Sequence, residues 1–463
     1  MSNLALQQEA KTYFSRELLV WYDEHKRDLP WRRSRNPYHI WISEIMLQQT
    51  RVDTVIPYFT RFIEKFPTVE ALATAPEEEV LKSWEGLGYY SRARNLQAAA
   101  QQVVERHEGI VPNTPEEISA LKGIGPYTAG AVLSIAYGVP VPAVDGNVMR
   151  VLSRYFCLED DIAKGPTRVK MEVLAKELIP RGRASDFNQA LMELGAMVCT
   201  PKSPGCLTCP VMKHCEGRMN GMELILPIKT KSKPPRPEHR LLALVEGTGE
   251  RAGQVLIRQR PATGLLARMW ELPHILADDS KKAGAGADLS DADAMKRLTY
   301  GIHNEGVDIQ PLEPWITEEH TFSHIHWTMR VFRCREAGVS AKGQQSEPAV
   351  RYTSSATQPL EASQGALKEI DPLEYEQATL ELKLSGSTPS SLQKIQKQLH
   401  LDDTLAVEQQ EAVAEHPEVY EAVPSTLVGE AFAYDYRWIT ADDMKNYAFP
   451  NLFLKILQQH FAQ

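Results

Sequence analysis

Four of the six cysteines, Cys199, Cys206, Cys209 and Cys215, fall within seventeen residues, while Cys157 and Cys334 stand apart. Six cysteines in a chain of 463 residues do not make a disulfide framework, so thiols gathered on a metal are the better reading. Four thiolates are what a [4Fe-4S] cluster needs, whereas structural zinc is more often held by two close pairs. The spacing favours iron, with zinc as the alternative. A second group is Leu121-Lys-Gly-Ile-Gly-Pro-Tyr-Thr-Ala-Gly130, where Gly123 and Gly125 join two helical segments. Their freedom at positive φ would let a tight turn aim backbone N–H groups at a phosphate, although a lone Gly-x-Gly is more often an ordinary helix junction. Downstream, Asp145 in Pro142-Ala-Val-Asp-Gly-Asn-Val-Met-Arg150 suits the N-cap of a helix beginning near Asn147. Glu44 stands beside Trp41, Ile45 and Leu47, neighbours that would partly desolvate a carboxyl group.

These residues need elements to hold them. From about Leu6 to Cys215 apolar residues recur at helical spacing, as in Thr68–Trp84, Ala93–Val104 and Thr128–Tyr137, with Gly or Pro between segments. The Pro- and Lys-containing stretch 226–238 has the composition of a linker. Beyond it, runs such as Leu241–Glu246, Gln254–Arg260 and Trp327–Cys334 suit strands, and Ala292–His303 suits a helix. The expected architecture is multidomain: an all-α domain over residues 1–225, then an α+β domain over 239–463. Residues 337–429, rich in Ser, Gln, Glu and Ala, read as an acidic, largely disordered insertion.

The net charge of -9 looks wrong for a nucleic-acid binder until it is located. Between Ala341 and Glu430 there are six Lys/Arg and fifteen Asp/Glu, which accounts for all of it, so the rest of the chain is balanced. No run of eighteen apolar residues suggests a membrane span, and the first residues lack the apolar stretch of a signal peptide. The expectation is a cytoplasmic monomer, nucleoid-associated if bacterial.

The cysteine spacing resembles the endonuclease III superfamily of DNA glycosylases, and the two glycine- and aspartate-containing segments match its helix-hairpin-helix and catalytic-aspartate segments. Leu29-Pro-Trp-Arg32 and Trp41-Ile-Ser-Glu-Ile-Met-Leu-Gln-Gln-Thr-Arg-Val52 resemble the MutY family within it, which acts on adenine opposite 8-oxoguanine. The resemblance implies that Glu44 protonates N7 of adenine and later serves as base toward water, while Asp145 stabilises the oxocarbenium-like sugar. Tyr127 and Asn147 would support Asp145, and Arg32 and Gln189 would contact the extruded adenine. Gln49 and Tyr89 would insert into the base stack, with Thr50 and Leu87 against 8-oxoguanine; core packing or solvation is the ordinary alternative for each.

Bifunctional relatives carry a lysine where this chain has Tyr127, so the resemblance implies a monofunctional enzyme that uses water. Arg258 to Pro273 resembles a MutT-like, Nudix-fold domain, but Ala292–His303 lacks the glutamate cluster that would hold Mg2+. Recognition of the lesion is its implied role, with Phe322, Ser323 and His324 at the tip of the probing loop. The implied cofactor is a [4Fe-4S] cluster and the implied partner is duplex DNA with adenine opposite 8-oxoguanine. The insertion is a candidate surface for a protein partner. A Nudix-type hydrolase and a catalytically silent damage binder are the competing readings.

Overall fold

The computed structural model describes residues 3–231, 233–278, 289–337 and 434–462. The stretch read as an acidic insertion lies outside these residues, apart from Ala337. The helices run α1 (Asn3–His25), α2 (Pro37–Leu47), α3 (Val52–Lys65), α4 (Val69–Thr74), α5 (Glu77–Ser83), α6 (Ser91–His107), α7 (Pro115–Ser119), α8 (Pro126–Tyr137), α9 (Gly146–Tyr155), α10 (Gly165–Leu178), α11 (Ala184–Met197) and α12 (Glu216–Met219). Thr68 to Trp84 is two helices rather than one. Thr68 caps α4 by accepting from the Ala71 N–H, and Pro76 interrupts before α5, because the residue before a proline is pushed out of the helical region.

The centre of this half is α8, buried from Thr128 through Ile135 on every face. Gly130 makes this possible, since a Cβ there would lie 2.0 Å from the Pro142 carbonyl oxygen. α2 and α11 both pack on α8, and α11 also packs on α9 and α1. The N-terminal ends of α8 and α9 and the faces of α2 and α11 thereby share one space. Their apolar residues divide into two cores, one built around Trp41, Trp84 and Phe62, the other around Phe14, Tyr155 and Phe187.

The second half is a mixed sheet: β1 (Arg236–Glu246), β2 (Val255–Gln259), β3 (Trp270–Glu271), β4 (His274–Leu276), β5 (Ile309–Thr321), β6 (Ile325–Glu336) and β7 (Tyr436–Ile439). Its main order is β3-β2-β1-β6-β5, with β1 and β6 parallel and β5 and β6 an antiparallel hairpin. α13 (Asp291–His303) packs against it, and so does α14 (Asn451–Phe461), whose Phe453 and Ile456 enter the core with Trp327 and Met329. The stretch expected as linker ends earlier than its composition suggested. Arg236, Pro237 and Glu238 already pair with Ile325, His326 and Trp327, and Leu226 is buried. β5 was not foreseen: with Pro311, Pro314 and three glutamates it lacks a strand pattern, and as a mostly exposed edge strand it is held by its long pairing with β6. Among the described residues no helix is long and apolar enough to cross a membrane.

Candidate active site

Glu44, Tyr127, Asp145, Asn147, Arg32, Gln189 and Thr50 line one cavity, joined by Trp31, Met192 and Glu193. The residues come from α2, α8, α11, the start of α9 and the turns on either side of α2. Glu44 lies on a helix buried from Ile40 to Met46, so its carboxyl group enters the cavity from the protein side. The Tyr127 hydroxyl donates to Glu44 Oε2 at 2.6 Å. Burial pushes the Glu44 carboxyl up to about 7, the neighbouring Asp145 charge adds to this, and the Tyr127 hydrogen bond and Arg32 oppose it. A carboxyl group with that value shares its proton readily near neutral pH.

Asp145 is the N-cap of α9: Oδ1 accepts from the Val148 N–H at 2.7 Å and Oδ2 from Asn147 Nδ2 at 2.7 Å. Burial raises its pKa above the usual aspartate value, and these hydrogen bonds act against the rise. Asn147 is fixed in turn. Its Oδ1 accepts from Arg150 Nη2 at 2.8 Å, and Arg150 Nε donates to the Cys199 carbonyl at 2.9 Å. A chain of polar contacts therefore connects the cysteine loop to the carboxylate. Arg154 completes the tie by donating to the carbonyls of Thr200, Pro201 and Leu226.

Glu193 escaped sequence reasoning. It is almost fully buried, and Arg27 and Arg32 each hold it with two side-chain hydrogen bonds. Burial alone would raise its pKa, but these two guanidinium groups bring it down to about 2, so it is an anion that fixes Arg32 at the cavity wall. The available signal was a lone acid in the apolar run Ala190-Leu-Met-Glu-Leu-Gly195 of α11. Gln189, one turn back, donates through Nε2 to Ser185.

Gln49 and Tyr89 are exposed and both have positive φ, 55° and 48°, a costly backbone state for residues with a Cβ. Arg92 holds the two loops in place. Its buried guanidinium donates to the carbonyls of Ile45, Met46 and Gln48 on one side and of Leu87 and Gly88 on the other, and reaches Thr50 Oγ1. Leu87 itself is buried in the first core, with only its chain neighbours outward. Replacing Arg92 by Met leaves these carbonyls without their donor and is expected to cost about 3 kcal/mol of stability, read by urea unfolding; a loss below about 1 kcal/mol would mean that the loops re-form without it.

The hairpin differs in one respect from expectation. Gly123 has φ 73°, and a Cβ there would meet Asn95 at 2.7 Å, but Gly125 has φ -91° because it is the extended N-cap of α8. Only the first glycine uses the left-handed region. Phe322, Ser323 and His324 form the turn between β5 and β6, with Ser323 exposed and Phe322 packed edge-on against Trp327, 4.8 Å between ring centroids.

Cys199, Cys206, Cys209 and Cys215 line a second cavity with Arg154 and Arg218. Burial pushes the Cys209 thiol up to about 12 and raises Cys206 and Cys215, so a cationic centre would supply the counter-charge that four thiolates lack. Among the described residues no three His, Cys, Asp or Glu side chains are already drawn into a ligand shell.

The fold and site define a helix-hairpin-helix base-excision enzyme with an appended Nudix-type domain. The family described as HhH-GPD superfamily base excision DNA repair protein matches residues 42–181, and the NUDIX domain family matches 248–369, ending beyond the described residues. The adenine DNA glycosylase of Rattus norvegicus is 39% identical over 369 residues, covering 69% of this chain and 70% of that protein. Its Homo sapiens counterpart is 38% identical over 383 residues, 72% of this chain and 68% of that one. The Schizosaccharomyces pombe protein is 34% identical and covers 69% and 81%. The chain belongs to the adenine DNA glycosylase family.

Proposed function

We propose that this enzyme hydrolyses the N-glycosidic bond of adenine mispaired with 8-oxoguanine, or with guanine, in duplex DNA, without cleaving the strand itself. The observation that carries the reading is the carboxyl group of Glu44, buried, hydrogen-bonded by Tyr127 and facing the same cavity as Asp145. Adenine is a poor leaving group until N7 is protonated. Glu44, with its proton available near pH 7, donates it; the bond from C1′ to the base then breaks and the electron pair leaves with neutral adenine. Asp145, fixed by Val148 and Asn147, carries the negative charge that stabilises the cationic sugar or captures it. Glu44, now a carboxylate, takes a proton from the water that attacks C1′.

Arg32, immobilised by Glu193, and Gln189 contact the extruded base. Gln49 and Tyr89, strained and exposed, enter the gap it leaves, with Thr50 and the Leu87 segment toward 8-oxoguanine and the Gly123 turn on a phosphate. The Phe322-Ser323-His324 turn probes the lesion strand. Tyr127 occupies the lyase lysine position, and no lysine lines the cavity among the described residues, which supports a monofunctional reaction. Cys199, Cys206, Cys209 and Cys215 would hold a [4Fe-4S] cluster, which supplies a cross-link for the loop that braces Arg150 and Arg154.

The competing hydrolase reading is opposed by the state of the buried carboxylates in the second half. Glu271 is held by Arg258, Arg260 and His274, and Glu305 by Arg258 and Tyr436, so neither is open to a divalent cation. Incubation with a duplex carrying adenine opposite 8-oxoguanine should release free adenine, with strand breaks only after alkali or heat. Binding without release would overturn the reading, and a borohydride-trapped adduct would overturn its monofunctional part.

A further inference from the structure

The sheet-bearing half meets the helical half at several points, including Arg94 on the Ala262 carbonyl, Gln259 on Glu78 and Met269 in the first core, and it grips it most closely immediately before the loop that carries Leu87 and Tyr89. Lys82, in the last turn of α5, has all three ammonium hydrogens committed: to Glu85 Oε2 at 2.7 Å, the Tyr447 carbonyl at 2.9 Å and the Met444 carbonyl at 3.0 Å. The other oxygen of Glu85 accepts the Phe449 N–H at 2.8 Å. One carboxylate and one ammonium thus take three backbone groups of the segment 444–449 across the junction. Both side chains are largely shielded from water, where such charge-assisted bonds are stronger than on an open surface.

Each end of this grip is anchored. On the sheet side, the Ala448 carbonyl accepts the Trp270 N–H, Tyr447 packs edge-on to Trp270, and Phe449 lies in the core beneath β1 and β6. On the helical side, the Glu85 carbonyl accepts the Tyr58 hydroxyl at 2.7 Å, and a Cβ at Gly86 would collide with that hydroxyl. Gly86 and Gly88 both have positive φ, so the path from Glu85 to Tyr89 is a tight chain of fixed backbone turns, and Arg92 holds its far end. A displacement of the sheet half reaches the Leu87 and Tyr89 loop through Glu85 with little slack.

We propose that Lys82 and Glu85 are positioning residues for lesion specificity, coupling engagement of the opposite strand by the sheet half to placement of the Leu87–Tyr89 loop. This rests on the reading that the sheet half recognises 8-oxoguanine. It adds the route by which recognition there favours excision elsewhere. Neither residue touches the cavity of Glu44 and Asp145.

The test measures single-turnover adenine release by the full chain from duplexes with adenine opposite 8-oxoguanine and opposite guanine. Lys82→Met and Glu85→Gln should each lower the ratio of the two rates by about tenfold, through slower release opposite 8-oxoguanine, while the rate opposite guanine stays within about twofold. Lys82→Arg, which can still donate to Glu85 and one carbonyl, should restore most of the ratio. The double variant should be no worse than either single one, since the two residues act as one unit. A wild-type enzyme with no preference between the duplexes would overturn the underlying recognition reading. A wild-type preference that both variants retain, even with lowered melting temperatures, would overturn the coupling and leave the pair a purely structural contact.

Discussion

Glu44→Gln should lower single-turnover adenine release by about a thousandfold, as expected for loss of a general acid acting on a poor leaving group. The substitution keeps the size of the side chain and an oxygen for the Tyr127 hydroxyl to donate to, so the cavity should persist. Stability supplies the control. Burial lifts the Glu44 pKa from its ordinary value to about 7 in the folded state, so the folded chain holds more protons than the unfolded one between about pH 4.5 and pH 7. The stabilising share of this group is complete below that window and lost as pH rises through it. Gln cannot ionise. The variant should therefore melt no lower than the wild type at pH 8, while being nearly inactive. The wild-type rate should also fall as pH rises through about 7, because the protonated form is consumed; a flat profile, or an active Gln variant, would end the case for Glu44 as acid.

Asp145→Asn should cost about a hundred- to a thousandfold, the usual scale for removing one electrostatic stabiliser of a transition state. Asn is as good an N-cap as Asp, so α9 should still begin with the Val148 N–H satisfied. Binding of the substrate duplex should survive, which separates this variant from an unfolded one. In the proposed mechanism the working form of this group is the anion, so the rate should also fall at low pH, at a value above that of an ordinary aspartate because burial raises it. With the Glu44 limb, the profile is a bell whose two limbs belong to carboxyl groups in one cavity, each influencing the other. Measurement of kcat/KM against pH for both variants would show which limb each removes. A loss of less than about tenfold for Asp145→Asn would mean that the sugar cation is stabilised by other groups.

Much of this site was legible in order along the chain. The cysteine intervals, the Gly123 turn, the Asp145 segment and the Glu44 motif are local patterns, and each depends on residues within one or two turns of itself. The helices with strong periodicity followed for the same reason, as did β6 and α13. What escaped lacks a local signature. β5 is polar and proline-bearing, and exists because β6 lies beside it. Gly125 was expected at positive φ because a glycine permits it, yet the chain used it as an extended cap.

By itself, then, the sequence determined which chemical groups are present and which short turns and helices carry them. The tertiary structure decided what those groups are. Glu44 meets Tyr127 across 83 residues and Arg32 meets Glu193 across 161, and from these contacts come one carboxyl poised near neutral pH and another held as an anion. Arg92 and Arg150 carry no local signature in the sequence, and their carbonyl partners come from other segments. The physical reason is common to all. Desolvation and hydrogen bonding depend on which surfaces packing excludes from water and brings within about 3 Å, and that is set by the whole chain rather than by any window of it.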